Sequence, residues 1–292
     1  MPPPEKALPR QRRDLNPVSD QLLPTPRLLC IGAHPDDCEI QTSGLTALWT
    51  GRGGSARFAS MTDGSAGHQE LAGAKLAGIR RAEARAGAAA VGADSLVFDN
   101  LDGSLLPTLD NRLRVIRAVR EFQPDVLVTH RTNDYHPDHR YTGVTVQDAC
   151  YMVMVPNVLP GCPVPDREPV VIFMSDRFTK PSPLDPDLVF DIDPVMERKV
   201  DAITSHESQM YEWLPWIEKY ADELPDDPTE RRNYVRARVA RKPAAEADRF
   251  RHALVAKYGE AHGREVRYAE AYEVSEYGAP LTEELSRSLF PF

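Results

Sequence analysis

Two short stretches of this 292-residue chain hold chemistry-bearing side chains at high density: Ala33-His34-Pro35-Asp36-Asp37 and Tyr135-His136-Pro137-Asp138-His139. Each gathers imidazole and carboxylate around a proline. Proline is tolerated in a first helical turn, where its missing N–H has no intrahelical acceptor, and it fixes the angle at which its neighbours project. His34 and Asp37 are three residues apart, so at the entry to a helix they can face one point. His139 from the second stretch completes two histidines and one carboxylate. Three protein ligands with a fourth position open describe a catalytic zinc site.

The remaining residues of the two stretches then have jobs. Asp36, beside a ligand but not needed as one, is a candidate general base: zinc lowers the pKa of bound water from about 15.7 to about 7, within reach of a carboxylate. Such proton transfer is typically worth ~10² to 10⁴ in rate. His136 could stabilise an oxyanion or protonate a leaving amine, and Asp138 could orient His136 through a ring N–H. The plain alternative for His34, Asp36 and Asp37 is a helix N-terminus whose acidic residues complement the helix dipole. A second histidine-rich loop of the same kind favours a site, because unrelated caps have no reason to repeat the pattern.

Positioning these loops requires a particular scaffold. Arg27–Ala33 is a short apolar run that reads as a buried parallel strand, and a helix follows from about Asp37 to Leu48. Further strands are expected at Ala56–Met61, Ser95–Phe98, Asp125–Thr129 and Val170–Met174, with helices over 69–91, Asn111–Glu121 and from Arg140 to about Met154. This alternation predicts an α/β fold, Rossmann-like and doubly wound, with a mostly parallel sheet and helices on both faces. The first strand then lies beside the fourth at the topological switch point, and ligands bind outside the carboxyl ends of the strands there. Beyond the fifth strand, Leu188–Ile192 reads as an edge strand, Val195–Met210 as a helix and Tyr268–Val274 as a short late strand. Residues 1–26, rich in proline and charge, read as an arm, and 27–292 as one domain. An insertion around 211–240 carries Trp213, Trp216 and Tyr220, which suit a core or a subunit contact.

The two His-Pro-Asp clusters, quoted above as they stand, resemble the paired signatures of the PIG-L or LmbE-like zinc-dependent de-N-acetylase family. That family includes the GlcNAc-phosphatidylinositol deacetylase and the deacetylases of mycothiol and bacillithiol biosynthesis. The resemblance covers roughly residues 27–210. Weaker family-like features are Thr62-Asp63-Gly64, Arg80 with Glu83, Leu101-Asp102-Gly103 and His206-Glu207-Ser208-Gln209. The resemblance implies a Rossmann-like fold, with His34, Asp37 and His139 as metal ligands, Asp36 as general base and His136 as oxyanion stabiliser. It places Arg80 and Asp102 at substrate-contacting positions, and His206 is set beside them as a candidate contact. Each of the three has a plainer reading: a solvated i,i+3 pair for Arg80 with Glu83, a turn residue for Asp102, and a packing histidine for His206. His68 and His130 are not read as ligands.

The function expected is zinc-dependent removal of an N-acetyl or related N-acyl group from a sugar-type or small amide substrate, with release of acetate. One Zn²⁺ per chain is expected, and Fe²⁺ suits the same donors. A non-haem iron enzyme built on the same triad stays open. A non-catalytic nucleotide-binding module lacks the G-x-G-x-x-G loop, and two-metal phosphoester hydrolysis lacks a second ligand set. Asp and Glu total 44 against 35 Lys and Arg, a formal charge of −9, which disfavours nucleic acid and anionic membranes as partners. Cys30, Cys38, Cys150 and Cys162 form no C-x-x-C pair. With no apolar leader and no run long enough to span a bilayer, a cytoplasmic protein is expected, and a homo-oligomer is left open.

Overall fold

The computed structural model describes residues 25–292, so the arm expected over 1–26 falls almost wholly outside the described residues. The chain alternates as expected through β1 (Arg27–Gly32), α1 (Asp37–Thr50), β2 (Ser55–Thr62), α2 (Gly73–Ala90), β3 (Asp94–Asn100), α3 (Leu109–Phe122), β4 (Val126–Thr129), α4 (Pro137–Met152) and β5 (Val170–Met174). Then follow β6 (Leu188–Asp191), α5 (Met196–Thr204), α6 (Leu214–Ile217), α7 (Pro228–Val239), α8 (Arg241–Arg249), α9 (Arg251–Tyr258), α10 (Glu260–Glu265), β7 (Ala269–Val274) and α11 (Glu283–Leu289).

The strand order is β3-β2-β1-β4-β5-β7-β6. The first five strands are parallel, and β1 lies between β2 and β4, with Leu28 opposite Val126 and Ile31 opposite Thr129. Period-2 alternation sends the side chains of β1 to two different cores. Leu28 and Cys30 join Leu45, Trp49, Phe58, Val128 and Ile172 on one face. Leu29 and Ile31 join Met61, Val115, Val119, Leu127 and Val146 on the other. Burial on both faces is why β1 reads as a continuous apolar run.

Two features depart from the sequence expectation. β6 is an edge strand, but β7 enters between it and β5, antiparallel to both. α5 ends at Thr204, and a π-helical turn spans Ser208–Trp213. The physical reason is a competing acceptor: the Ser208 N–H and Oγ–H both donate to the Glu83 carboxylate of α2, at 2.7 and 2.6 Å. The stretch expected as an insertion, 211–240, packs onto α5 through Val235 against Ile203 and Met210, and through Arg236 on Glu197.

Candidate active site

The loops after β1 and β4 leave neighbouring parallel strands at the same sheet edge, so the switch point sets His34 and Asp37 against His139. Gly32 permits the approach: a Cβ there would lie 2.7 Å from the Asp37 Cβ. Asp37 opens α1 and is fixed by the loop itself, its Oδ2 accepting from the Ala33 and His34 N–H groups, both at 2.8 Å. His136 caps α4, and its Nδ1 accepts from the Asp138 N–H at 3.2 Å, with Pro137 at the first helical position.

His34, Asp37 and His139 converge as the sequence suggested. His34 Nδ1 lies 3.2 Å from His139 Nε2 and 3.6 Å from Asp37 Oδ2, and His139 Nε2 lies 3.4 Å from Asp37 Oδ1. Ligands at ~2.0–2.1 Å around a tetrahedral ion stand roughly 3.3–3.4 Å from one another, so the spacing suits a single cation. The far side of each donor is backed. His34 Nε2 lies 3.2 Å from Asp102 Oδ1 and 3.3 Å from Asp138 Oδ2. His139 Nδ1 lies 3.1 Å from Asp134 Oδ1. His130 Nε2 lies 3.2 Å from Asp37 Oδ2, and its ring stacks on His139 at 4.4 Å. Carboxylates behind ligating histidines fix ring orientation and raise ligand basicity. The donor set therefore fits a divalent ion. His136, half-buried, offers a ring nitrogen within 4.8 Å of those of His34 and His139, and Tyr135 is exposed at the rim, 6.5 Å from the Phe178 ring.

The electrostatics follow from crowding charge in a buried place. Burial disfavours the His139 imidazolium, but Asp37 and Asp134 outweigh it and hold the ring up at about 10. His34 is likewise raised well above its ordinary value, against burial, by Asp102, Asp138 and Asp37. Burial works to raise Asp37, but His139 and His130 bring it well below the usual carboxylate range. Asp36 differs. Burial raises its carboxyl above the ordinary value, opposed by the Arg80 guanidinium and reinforced by Asp37. Burial lowers His136, assisted by His34 and His139.

Several expected roles change. The Asp138 carboxylate does not turn to the His136 ring; it accepts from the Gly103 and Leu105 N–H groups and faces His34, because its place in the first turn of α4 points it at the loop after β3. Arg80 is no substrate contact in this geometry: it is 1% exposed and paired with Asp36 at 3.0 Å. His206 is fully buried, 3.1 Å from Glu39 of α1, as its packing reading had it. Asp102 lies beside the ligands, with its carboxylate engaged by His34 and the Ala66 N–H. Sequence reasoning missed Asp134, although its place two residues before His136 in a loop already marked as functional was a signal. His130 was set aside as a ligand, yet it offers a ring nitrogen within 4.8 Å of donor atoms of Asp37 and His139; His68 pairs with Glu212 instead.

Comparison with known proteins adds to this geometry. Residues 29–150 match the sequence model of PIG-L, GlcNAc-PI de-N-acetylase. Both His-Pro-Asp loops lie inside this PIG-L match. Diacetylchitobiose deacetylase of Thermococcus kodakarensis is 28% identical over 211 residues, 67% of this chain and 76% of that one. Among solved structures, N,N′-diacetylchitobiose deacetylase from Pyrococcus horikoshii superposes with a TM-score of 0.66 at 22% identity, covering 89% of this chain and 87% of that one. GalB, the 4-carboxy-2-hydroxymuconate hydratase of Pseudomonas putida, gives 0.67 at 23%, covering 89% and 99%. One neighbour is a deacetylase and the other a hydratase, so the shared fold does not by itself choose the reaction.

Proposed function

We propose that this protein is a metal-dependent N-deacetylase that hydrolyses the acetamido group of an N-acetylated sugar or sugar conjugate and releases acetate. The observation that carries the reading is the convergence of His34 Nδ1, His139 Nε2 and the Asp37 carboxylate within 3.2–3.6 Å, with a further carboxylate, that of Asp36, next to Asp37 in the chain and held by Arg80. The similarity to a diacetylchitobiose deacetylase supports the substrate class.

His34, Asp37 and His139 would hold one Zn²⁺, with Fe²⁺ suited to the same donors. When bound, the ion supplies Lewis acidity, polarising the acetyl carbonyl and acidifying water. Asp36 takes the proton of the attacking water as the new C–O bond forms. Burial favours its protonated form, so it holds that proton long enough to deliver it to the amine nitrogen when the C–N bond breaks. His136 acts as a donor: its Nδ1 already accepts from the Asp138 N–H, which leaves the ring proton on Nε2 even in the neutral imidazole. That N–H stabilises the tetrahedral oxyanion, a contribution that typically reaches ~10²–10³ in rate where a single such donor has been removed.

Acetate release from N-acetylglucosamine, N,N′-diacetylchitobiose and larger conjugates tests this reading, with the protein loaded in turn with zinc and iron(II). Acetate and free amine appearing in equal amounts is the expected result. A protein that binds one equivalent of metal and releases no acetate from any N-acetyl sugar would count against it.

A further inference from the structure

Arg80 is among the largest fully buried side chains of the described residues, 1% exposed. It rises from α2, and its Nη2 donates both to the Pro35 carbonyl, at 2.6 Å, and to Asp36 Oδ2, at 3.0 Å. Gln209, in the π-helical turn, is satisfied when its amide oxygen faces the guanidinium, where it accepts from Nη1 and, at 2.6 Å, from Nη2. Gly64 closes against the same side chain. Its φ is +69°, and a Cβ there would lie 2.9 Å from Arg80 Nε. These contacts surround a residue in an unusual state: Asp36 has φ 140° and ψ −25°, well outside the regions open to non-glycine residues. Such a conformation costs roughly 1–3 kcal/mol and persists only where its surroundings over-determine it.

We propose that Arg80, braced by Gln209, is a positioning residue that holds Asp36 in this backbone conformation and fixes the carboxylate beside His34 and Asp37. The proposal rests on the reading of Asp36 as the general base. A guanidinium is a rigid planar fork. Anchored on the carbonyl of residue 35 and the carboxylate of residue 36, it grips both ends of the strained unit, so relaxing φ at Asp36 breaks at least one of the two bonds. At 1% exposure Arg80 presents almost no surface of its own to a substrate. The turn at 206–209 thereby gains a purpose: Ser208 ties it to α2 through Glu83, which places Gln209 against the guanidinium.

The test compares Arg80→Ala, Arg80→Lys and Gln209→Leu with wild type in the full chain. It measures kcat and KM for acetate release from N,N′-diacetylchitobiose, metal content, and the crystal structure of each folded variant. Positioning predicts a fall in kcat of about 10² for the Arg80 variants, the lower end of what losing a general base costs. The fall for Gln209→Leu is about tenfold, and KM stays within about twofold with metal retained. It further predicts that Asp36 leaves positive φ, or turns its carboxylate away, in Arg80→Ala. Should Arg80→Ala not fold, Arg80→Lys and Gln209→Leu carry the same readouts. A raised KM with kcat retained would make Arg80 a substrate contact and overturn the proposal, as would an Asp36 unchanged in φ and rotamer in the variant crystals. Wild type that releases no acetate defeats the deacetylase reading instead, and the variant crystals still decide the positioning.

Discussion

Asp134 stands 3.1 Å behind His139, with its Oδ1 on the ring nitrogen that faces away from His34 and Asp37. Replacing Asp134 with Asn keeps the size and an acceptor oxygen and removes the charge. Removing the outer partner of a ligating histidine typically costs 10- to 100-fold in metal affinity, or about 1.4–2.7 kcal/mol. Asp134→Asn should lie within that range and Asp134→Ala at its upper end, because Asp134 Oδ1 also accepts from the His136 backbone N–H at 2.8 Å, so alanine frees the His139 ring and loosens the loop that carries His136. Zinc affinity is read by competition with a chromophoric chelator at fixed pH. The same loss should appear as a smaller zinc-induced thermal shift, since stabilisation by a ligand scales as RT ln(1 + [L]/Kd). At saturating zinc, Asp134→Asn should recover most of its turnover while Asp134→Ala stays impaired through His136. A zinc affinity for Asp134→Asn within twofold of wild type would refute the reasoning, because the carboxylate would then contribute nothing to the ligand it touches.

Two predictions concern the scaffold. Lys199 and Glu270 form a buried pair at 2.7 Å that also engages α1, with Glu270 accepting from the Gly44 and Leu45 N–H groups and Lys199 donating to the Ile40 carbonyl. Lys199→Met or Glu270→Gln alone should cost about 3–5 kcal/mol, since each strands a buried charge, and the double variant should cost less than the sum; simple additivity in denaturant melts would contradict this. All four cysteines are free and buried, and burial pushes Cys30 and Cys150 up to about 12. The native protein should therefore resist a thiol reagent at pH 8 and release four reactive thiols on unfolding, and a thiol that reacts rapidly in the native state would contradict the burial.

Much of this arrangement was legible in the sequence because it is local. The apolar run at 27–33, bounded by turn residues, reads as an interior strand, and the alternation of elements put β4 beside β1, bringing the two His-Pro-Asp loops to one edge. What was not legible depends on contacts between distant segments. Nothing near residue 80 shows that Arg80 will be buried beneath Asp36, since an i,i+3 pairing with Glu83 reads the same on a solvated helix. The end of α5 at Thr204 is decided by Glu83, more than a hundred residues earlier. β7 pairs with β5 across some hundred residues, and its six-residue alternation carries no sign of its neighbours. The turn of Asp138 toward His34 rather than His136 is set by the N–H groups of Gly103 and Leu105, which only the folded loop after β3 supplies.

The most direct test of the site compares wild type with Asp36→Ala, each loaded with zinc and assayed for bound metal and for acetate release from N,N′-diacetylchitobiose. The account predicts equal metal in both, about one per chain, with turnover in the variant reduced by roughly 10² or more. Equal turnover in the two proteins, or no metal in either under zinc-replete conditions, would contradict it.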